Sequence, residues 1–169
     1  KREQFDIEYL KISPHHKIPA IVDHDGPGGA TISLCESGAI LKYVGSKMTN
    51  RLYPSEPVNQ IKVDQWLFFG SAQFTTLAQQ YGFFMERSPD DIPLGKKHYD
   101  GIMRDMFGCL DIQLEDNEYI AGDFSVADIS MFADARIYGV DKWIGFGDYP
   151  NLKRWHDAID SRPAVKRAW

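Results

Sequence analysis

The feature that most constrains this fold is an abrupt change of texture near residue 50. Before it, short runs of branched residues alternate with dense turn chemistry. After it, strand signals almost vanish. Ile18 to Val22 reads IPAIV and is followed by Asp23-His24-Asp25-Gly26-Pro27-Gly28-Gly29, which suits a turn. Thr31-Ile32-Ser33-Leu34-Cys35 then alternates apolar and polar residues. The pattern predicts two strands joined by a Gly/Pro loop, a loosely connected hairpin. Apolar residues at Ile40, Leu41, Tyr43 and Val44 predict a helix starting near Ser37. From Asn50 to Pro57 the chain reads NRLYPSEP, with two prolines and no helical period. The chain thus divides into residues 1–50, a linker at 51–57, and residues 58–169.

The second part predicts helices. Trp66, Leu67, Phe69, Phe74 and Leu77 carry a helical period between Val58 and Met85, with Gly70 and Gly82 as weak points. Ser88-Pro89-Asp90-Asp91-Ile92-Pro93 interrupts the pattern. It resumes from Leu94 to Leu114 through Ile102, Met103, Met106 and Leu110, so two long helices should pack antiparallel. Ser125 and Asp128 form a capping box, and Phe124 can staple onto Ile129. A last helix follows Tyr149-Pro150-Asn151 and carries Leu152, Trp155 and Ile159 toward the stop at Arg162-Pro163.

Charge and composition exclude several function classes. Nineteen basic against 24 acidic residues give a net charge of −5, with the acidic residues dispersed, which argues against a nucleic-acid partner. No apolar run approaches the roughly 20 residues of a membrane span, and a soluble, intracellular protein is expected. Cys35 and Cys109 lie too far apart in sequence, with no partner pattern, to suggest a disulfide framework or a zinc cluster.

Four groups could carry chemistry. Pro19 is either an ordinary strand-start proline or part of a cis Ile18-Pro19 bond that turns the backbone of Ile18 toward an extended peptide ligand. Ser37 either simply caps the following helix, or that helix start holds a ligand carboxylate while Glu36 pairs with the ammonium group of the same ligand. His15-His16 reads as a solvated turn, because no further metal ligands stand at suitable spacing. Cys35 is either an inert thiol or one open to mixed-disulfide formation. Cys109 is expected in the core.

Taken together, Glu3-Gln4-Phe5, Tyr9-Leu10-Lys11-Ile12-Ser13-Pro14, Lys17-Ile18-Pro19-Ala20-Ile21-Val22-Asp23 and Glu36-Ser37-Gly38-Ala39-Ile40-Leu41 resemble the cytosolic glutathione transferases. Gln65-Trp66-Leu67, Tyr119-Ile120-Ala121-Gly122-Asp123-Phe124-Ser125-Val126-Ala127-Asp128-Ile129 and Tyr149-Pro150-Asn151-Leu152-Lys153-Arg154-Trp155 extend the resemblance over nearly the whole chain. It is nearest the branch that holds the nu-class glutathione-dependent disulfide-bond oxidoreductases and the fungal enzymes related to the yeast nitrogen-regulator prion.

The resemblance implies an α/β plus all-α fold: a partial thioredoxin-like N-terminal domain followed by an all-helical glutathione-transferase C-terminal domain. It further implies a cytoplasmic homodimer with glutathione as co-substrate and no metal. Ile18 and Pro19 would pair with the cysteinyl unit of glutathione, Glu36 and Ser37 would hold its γ-glutamyl end, and Gln4 and Arg104 would also touch it. The Ser125 to Asp128 box is a folding signature in the family, not a ligand contact. Cys35 stands where the family usually has Phe.

The thiol-activating residue is expected upstream of Lys1, in an opening strand and helix that this sequence does not contain, so a longer natural polypeptide is expected and activity of the 169-residue chain alone is not. The implied reaction delivers the glutathione thiolate to a small electrophilic or disulfide substrate. The alternative is a non-catalytic relative acting as an interaction or regulatory protein, since fold alone does not separate the two.

Overall fold

A computed structural model describes residues 2–48, 52–139 and 143–168. Asn50 and Arg51, at the start of the expected boundary stretch, lie outside the described residues.

The chain opens with a 3-10 turn, Glu3–Phe5, and one helical turn, α1 (Ile7–Leu10). Two short strands follow, β1 (Ala20–Asp23) and β2 (Ile32–Cys35). They pair antiparallel with Ala20 opposite Cys35 and Asp23 opposite Ile32. The ladder begins after Pro19, which has no N–H to give it. The connection makes a 3-10 turn at Pro27–Gly29 and needs φ of 67° at Gly28 and 77° at Gly29, values open to glycine.

Helix α2 (Ser37–Lys47) packs on this hairpin. The Asp23 carboxylate at the end of β1 fastens it by accepting from Tyr43 Oη and Lys47 Nζ, both at 2.6 Å. Those bonds, Lys47 foremost, hold the Asp23 carboxyl well below its ordinary range. On its other side α2 meets the helical part. A Cβ on Gly45 would stand 2.8 Å from Cγ1 of Val126 and 3.1 Å from Cβ of Tyr53. Lys42 reaches Asp64 at 2.7 Å, and Tyr53 Oη donates to the same carboxylate at 3.0 Å.

The expected first long helix runs from α3 (Pro57–Phe68) to α4 (Thr75–Gly82) through a π-helical turn at Phe69–Phe74, and ends in a second at Phe83–Arg87. The helix widens where Gly70 and Gly82 weaken it. Gly70 is also a close approach, since a Cβ there would come within 2.9 Å of Met131 and Ser130 in the sixth helix. Glu56 caps α3 by accepting from the amides of Val58 and Asn59, which keeps its carboxyl below the usual range.

Helices α5 (Pro93–Gln113), α6 (Val126–Gly139), α7 (Pro150–Asp160) and α8 (Pro163–Ala168) complete the chain. Helix α5 packs on α4 and α7. Its carboxylate Asp111 accepts from Leu152 N at 2.8 Å and so caps α7. Arg154 of α7 in turn donates to the carbonyls of Leu114, which caps α5, and of Asn117 in the turn after it. The main core joins Phe74, Tyr81, Met103, Phe107, Leu110, Met131, Leu152 and Trp155. Cys109 corrects the expectation of a core position: it is exposed. The buried stripe of α5 runs through Met103, Phe107, Leu110 and Leu114, and Cys109, two residues past Phe107, falls off it.

The capping box forms as expected. Asp128 is fully buried; its Oδ2 accepts from Ser125 N at 2.8 Å and Ser125 Oγ at 3.2 Å. Its Oδ1 accepts from Ile120 N at 3.0 Å and Trp155 Nε1 at 2.8 Å. The box is therefore a junction tying the 119–125 loop, α6 and α7 together. Phe124, expected to staple onto Ile129, has its ring against Tyr119 and under the Arg162 guanidinium. Among the described residues, no helix is long and apolar enough to cross a membrane.

Candidate functional site at the hairpin and helix α2

The site is built from the approach to β1. Ser13, Pro14, His15 and His16 form a turn closed by His16 N donating to Ser13 O at 3.0 Å, with proline at its favoured second position. Ser13 is fully buried, and its Oγ donates to Lys17 O at 2.8 Å. Tyr9 Oη donates to the same carbonyl at 2.6 Å. Two hydroxyls thus fix the backbone just before Ile18. The Ile18-Pro19 peptide is cis. Ile18 is 77% exposed and stands two residues before the first ladder pair. Among the described residues its backbone has no hydrogen-bond partner.

Across the hairpin, Cys35 lies opposite Ala20, so Glu36-Ser37 leave the ladder at the same end at which Ile18-Pro19 enter it. The sequence points to Ser37 as the cap of α2. In the fold Ser37 is the first helical residue, Glu36 takes the capping position, and neither side chain bonds the helix amides. Glu36 does so with φ of 72° and ψ of 114°, a left-handed backbone that costs energy for a residue with a Cβ. The result is a helix start whose first amides carry no side-chain cap, with a carboxylate beside it. Gly38 rests near Ser71 of the π-helical turn, where a Cβ would lie 3.1 Å from its Oγ. The corner therefore sits where the hairpin part meets the helical part.

Gln4, Phe5, His15, His16, Lys17 and Ile18 line a cleft of about 650 Å³. Gln4 and Ile18 are thereby brought together, and His15 links the cleft to Glu36, with Nε2 3.2 Å from Oε1. Sequence reasoning places His15 in a solvated turn and misses it as a neighbour of Glu36, because the contact crosses 21 residues. Cys35 is partly buried at the end of β2, next to the site.

Arg104 is not brought to this cleft. It donates from Nε to Asp100 at 2.8 Å, which raises the guanidinium further, and it lines another groove of about 560 Å³ with Trp66, Asp105 and Cys109. Although Cys109 is exposed as a residue, partial desolvation against the groove pushes its thiol up, away from thiolate chemistry. Among the described residues no group of three His, Cys, Asp or Glu side chains could hold a metal ion.

Residues 1–46 match the family described as glutathione S-transferase, N-terminal domain. The chain is 35% identical over 170 residues to the disulfide-bond oxidoreductase YfcG of Escherichia coli (strain K12), covering 99% of this chain and 78% of that protein. The chain belongs to the glutathione transferase family. Its relatives include a second E. coli disulfide-bond oxidoreductase, YghU, 29% identical over 174 residues, of which the chain spans 59%. Among solved structures, a glutathione transferase family member from Pseudomonas fluorescens pf-5 with two glutathione bound superposes with a TM-score of 0.91. It is 32% identical, and the match covers 98% of this chain and 76% of that one. A glutathione transferase from Pseudomonas putida with one glutathione disulfide bound per subunit gives a TM-score of 0.90 at 30% identity, with coverage of 98% and 74%. The architecture is accordingly a thioredoxin-like glutathione-transferase N-terminal part followed by a helical C-terminal part, in the branch that includes disulfide-bond oxidoreductases.

Proposed function

We propose that this chain binds glutathione along Ile18 and Glu36-Ser37 and that the bound thiol serves transfer to an electrophile or, as the favoured reaction, exchange with a disulfide. The observation that carries the reading is the corner itself: a backbone at Ile18 without a partner among the described residues, preceding a cis proline, at the same end of the ladder as a helix start without a side-chain cap. Glutathione is a flexible peptide with a carboxylate at each end and one ammonium group. Its cysteinyl unit suits the unpaired main chain of Ile18, in the manner of an added strand. Its γ-glutamyl carboxylate suits the free amides at Ser37, and the adjacent ammonium suits the Glu36 carboxylate. Gln4 lines the cleft from the 3-10 turn, and Lys17, which also lines it, carries an ammonium group of the sign that suits the glycyl carboxylate. Arg104 enters the proposal by resemblance alone, because Asp100 holds its guanidinium in a separate groove.

In the exchange, the glutathione thiolate attacks one sulfur of the substrate disulfide. A mixed disulfide forms and the other sulfur leaves as a thiolate; a second glutathione then releases the substrate's remaining thiol and leaves as glutathione disulfide. Relatives solved with two glutathione molecules or with glutathione disulfide support this order of events. We place the boundary between the two parts at 51–57. Exposed Ile61, Phe68 and Ile112 on α3 and α5 fit burial against a second copy in a homodimer, which light scattering tests.

Calorimetric titration with glutathione tests the binding step. Glu36→Ala is expected to cost about 1.5–3 kcal/mol, the worth of a hydrogen bond to a charged group. Binding unchanged by that substitution would remove the reading.

A further inference from the structure

We infer that His15 is a positioning residue that presents the Glu36 carboxylate to the α-ammonium group of a γ-glutamyl ligand, and so sets the specificity of the cleft; the inference rests on the glutathione reading. The Glu36 side chain is 72% exposed and starts from a left-handed backbone, which fixes where its Cβ points but not where its carboxylate lies. His15 Nε2, 3.2 Å from Oε1, is the one group among the described residues within ion-pair reach of that carboxylate. The backbone that carries the imidazole is held in place. It belongs to the Ser13 to His16 turn, anchored by the buried Ser13 and by the two hydroxyls on Lys17 O. The neighbouring His16, at φ of 60°, has its ring 5.1 Å from that of Phe5.

Imidazole chemistry suits the task. An imidazole ring offers an N–H donor in a fixed direction, so it orders one carboxylate oxygen and leaves the other open to an ammonium group. A lysine at this position would compete with the ligand as a fixed cation. The contact uses Oε1 and leaves Oε2 for the ligand. A carboxylate already ordered loses less rotamer freedom on binding, which favours ligands that carry the ammonium over those that do not.

The test compares glutathione with N-glutaryl-cysteinylglycine, the same molecule without its amino group, by titration calorimetry on wild type, His15→Ala, His15→Gln and Glu36→Gln. His15→Ala is expected to weaken glutathione about tenfold, the scale of one bond to a charged group, and to leave the deaminated analogue within about twofold. His15→Gln, which keeps an N–H donor, should recover most of the loss. In the Glu36→Gln background His15→Ala should have no further effect. Equal loss for both ligands would make His15 a merely structural residue and overturn the inference, as would no loss for either. If wild type and Glu36→Gln bind glutathione alike, the glutathione reading itself fails and this inference falls with it.

Discussion

Replacing Asp128 by Asn tests whether the buried junction between the 119–125 loop, α6 and α7 is held by the charge or merely by the shape of its carboxylate. The carboxylate accepts four hydrogen bonds, and every donor except the Ser125 hydroxyl is fixed by the backbone or by an indole ring. An amide of the same size keeps one acceptor. With its oxygen in the Oδ1 place it retains Ile120 N and Trp155 Nε1, while its NH₂ faces the Ser125 N–H. The Ser125 hydroxyl can rotate to accept, but the amide cannot. One buried donor is stranded, at about 1–3 kcal/mol, and two charge-assisted bonds become neutral ones, at about 0.5–1 kcal/mol each. Against this, an amide escapes the desolvation that pushes the Asp128 carboxyl up. The balance is a loss of about 2–3 kcal/mol, or roughly 5–10 °C in melting temperature for a chain of this size.

Urea denaturation followed by far-UV circular dichroism measures it, with an unchanged m-value as the check that the same surface unfolds. The pH dependence carries a second sign. With the folded carboxyl raised above its unfolded value, the folded state holds more protons, so this group's contribution to stability falls as pH rises through the folded value. The Asn variant should lose that slope. An Asn variant as stable as wild type would show that relief of the buried charge matches the lost bonds, and would refute a junction held by its carboxylate charge.

Gly45→Ala should cost about 1 kcal/mol net, since overpacking against Val126 and Tyr53 at about 1–3 kcal/mol outweighs the roughly 1 kcal/mol that alanine adds to a helix. Because α2 must move to make room, glutathione affinity should fall with stability, which paired urea and calorimetric titrations would detect. His156 is buried with its ring between Phe132 and Phe146 and with no hydrogen-bond partner for Nε2 among the described residues. Burial, which outweighs the pull of Asp157, holds this imidazole below its ordinary value of 6.5. The unfolded chain therefore takes up the proton first, and stability is complete above about pH 6.5 and is lost as pH falls below it. Melting curves between about pH 7.5 and 5.5 should show that decline in wild type and a flatter one in His156→Phe.

What can be read from the sequence is whatever a short stretch decides for itself. Alternation in Thr31 to Cys35, the breaks at Pro89 and Pro93, and the Ser125 to Asp128 box are local, and each appears where it is expected. Gly70 and Gly82 are legible as weak points, but not as the places where a helix widens, because that depends on what α6 brings against Gly70. Cys109 is misplaced when its apolar neighbours are counted without Phe107, which carries the buried stripe of α5 past it. The site divides in the same way. Proline at position 19 and the Glu36-Ser37 pair can be read directly, whereas the left-handed backbone of Glu36 and its contact with His15 depend on the pairing of Ala20 with Cys35.

That pairing makes function in this chain a property of a corner rather than of a motif. Register brings the Ile18-Pro19 entry and the Glu36-Ser37 exit to one end of the ladder. Asp23, bonded to Tyr43 and Lys47, fixes the tilt of α2 on the hairpin, and Gly45 lets α2 close onto α6. Any of these can fail with every proposed ligand contact still present in the sequence. Residues remote from the cleft, Gly45 and Asp23 foremost, should then govern glutathione affinity as strongly as several of the side chains that line it.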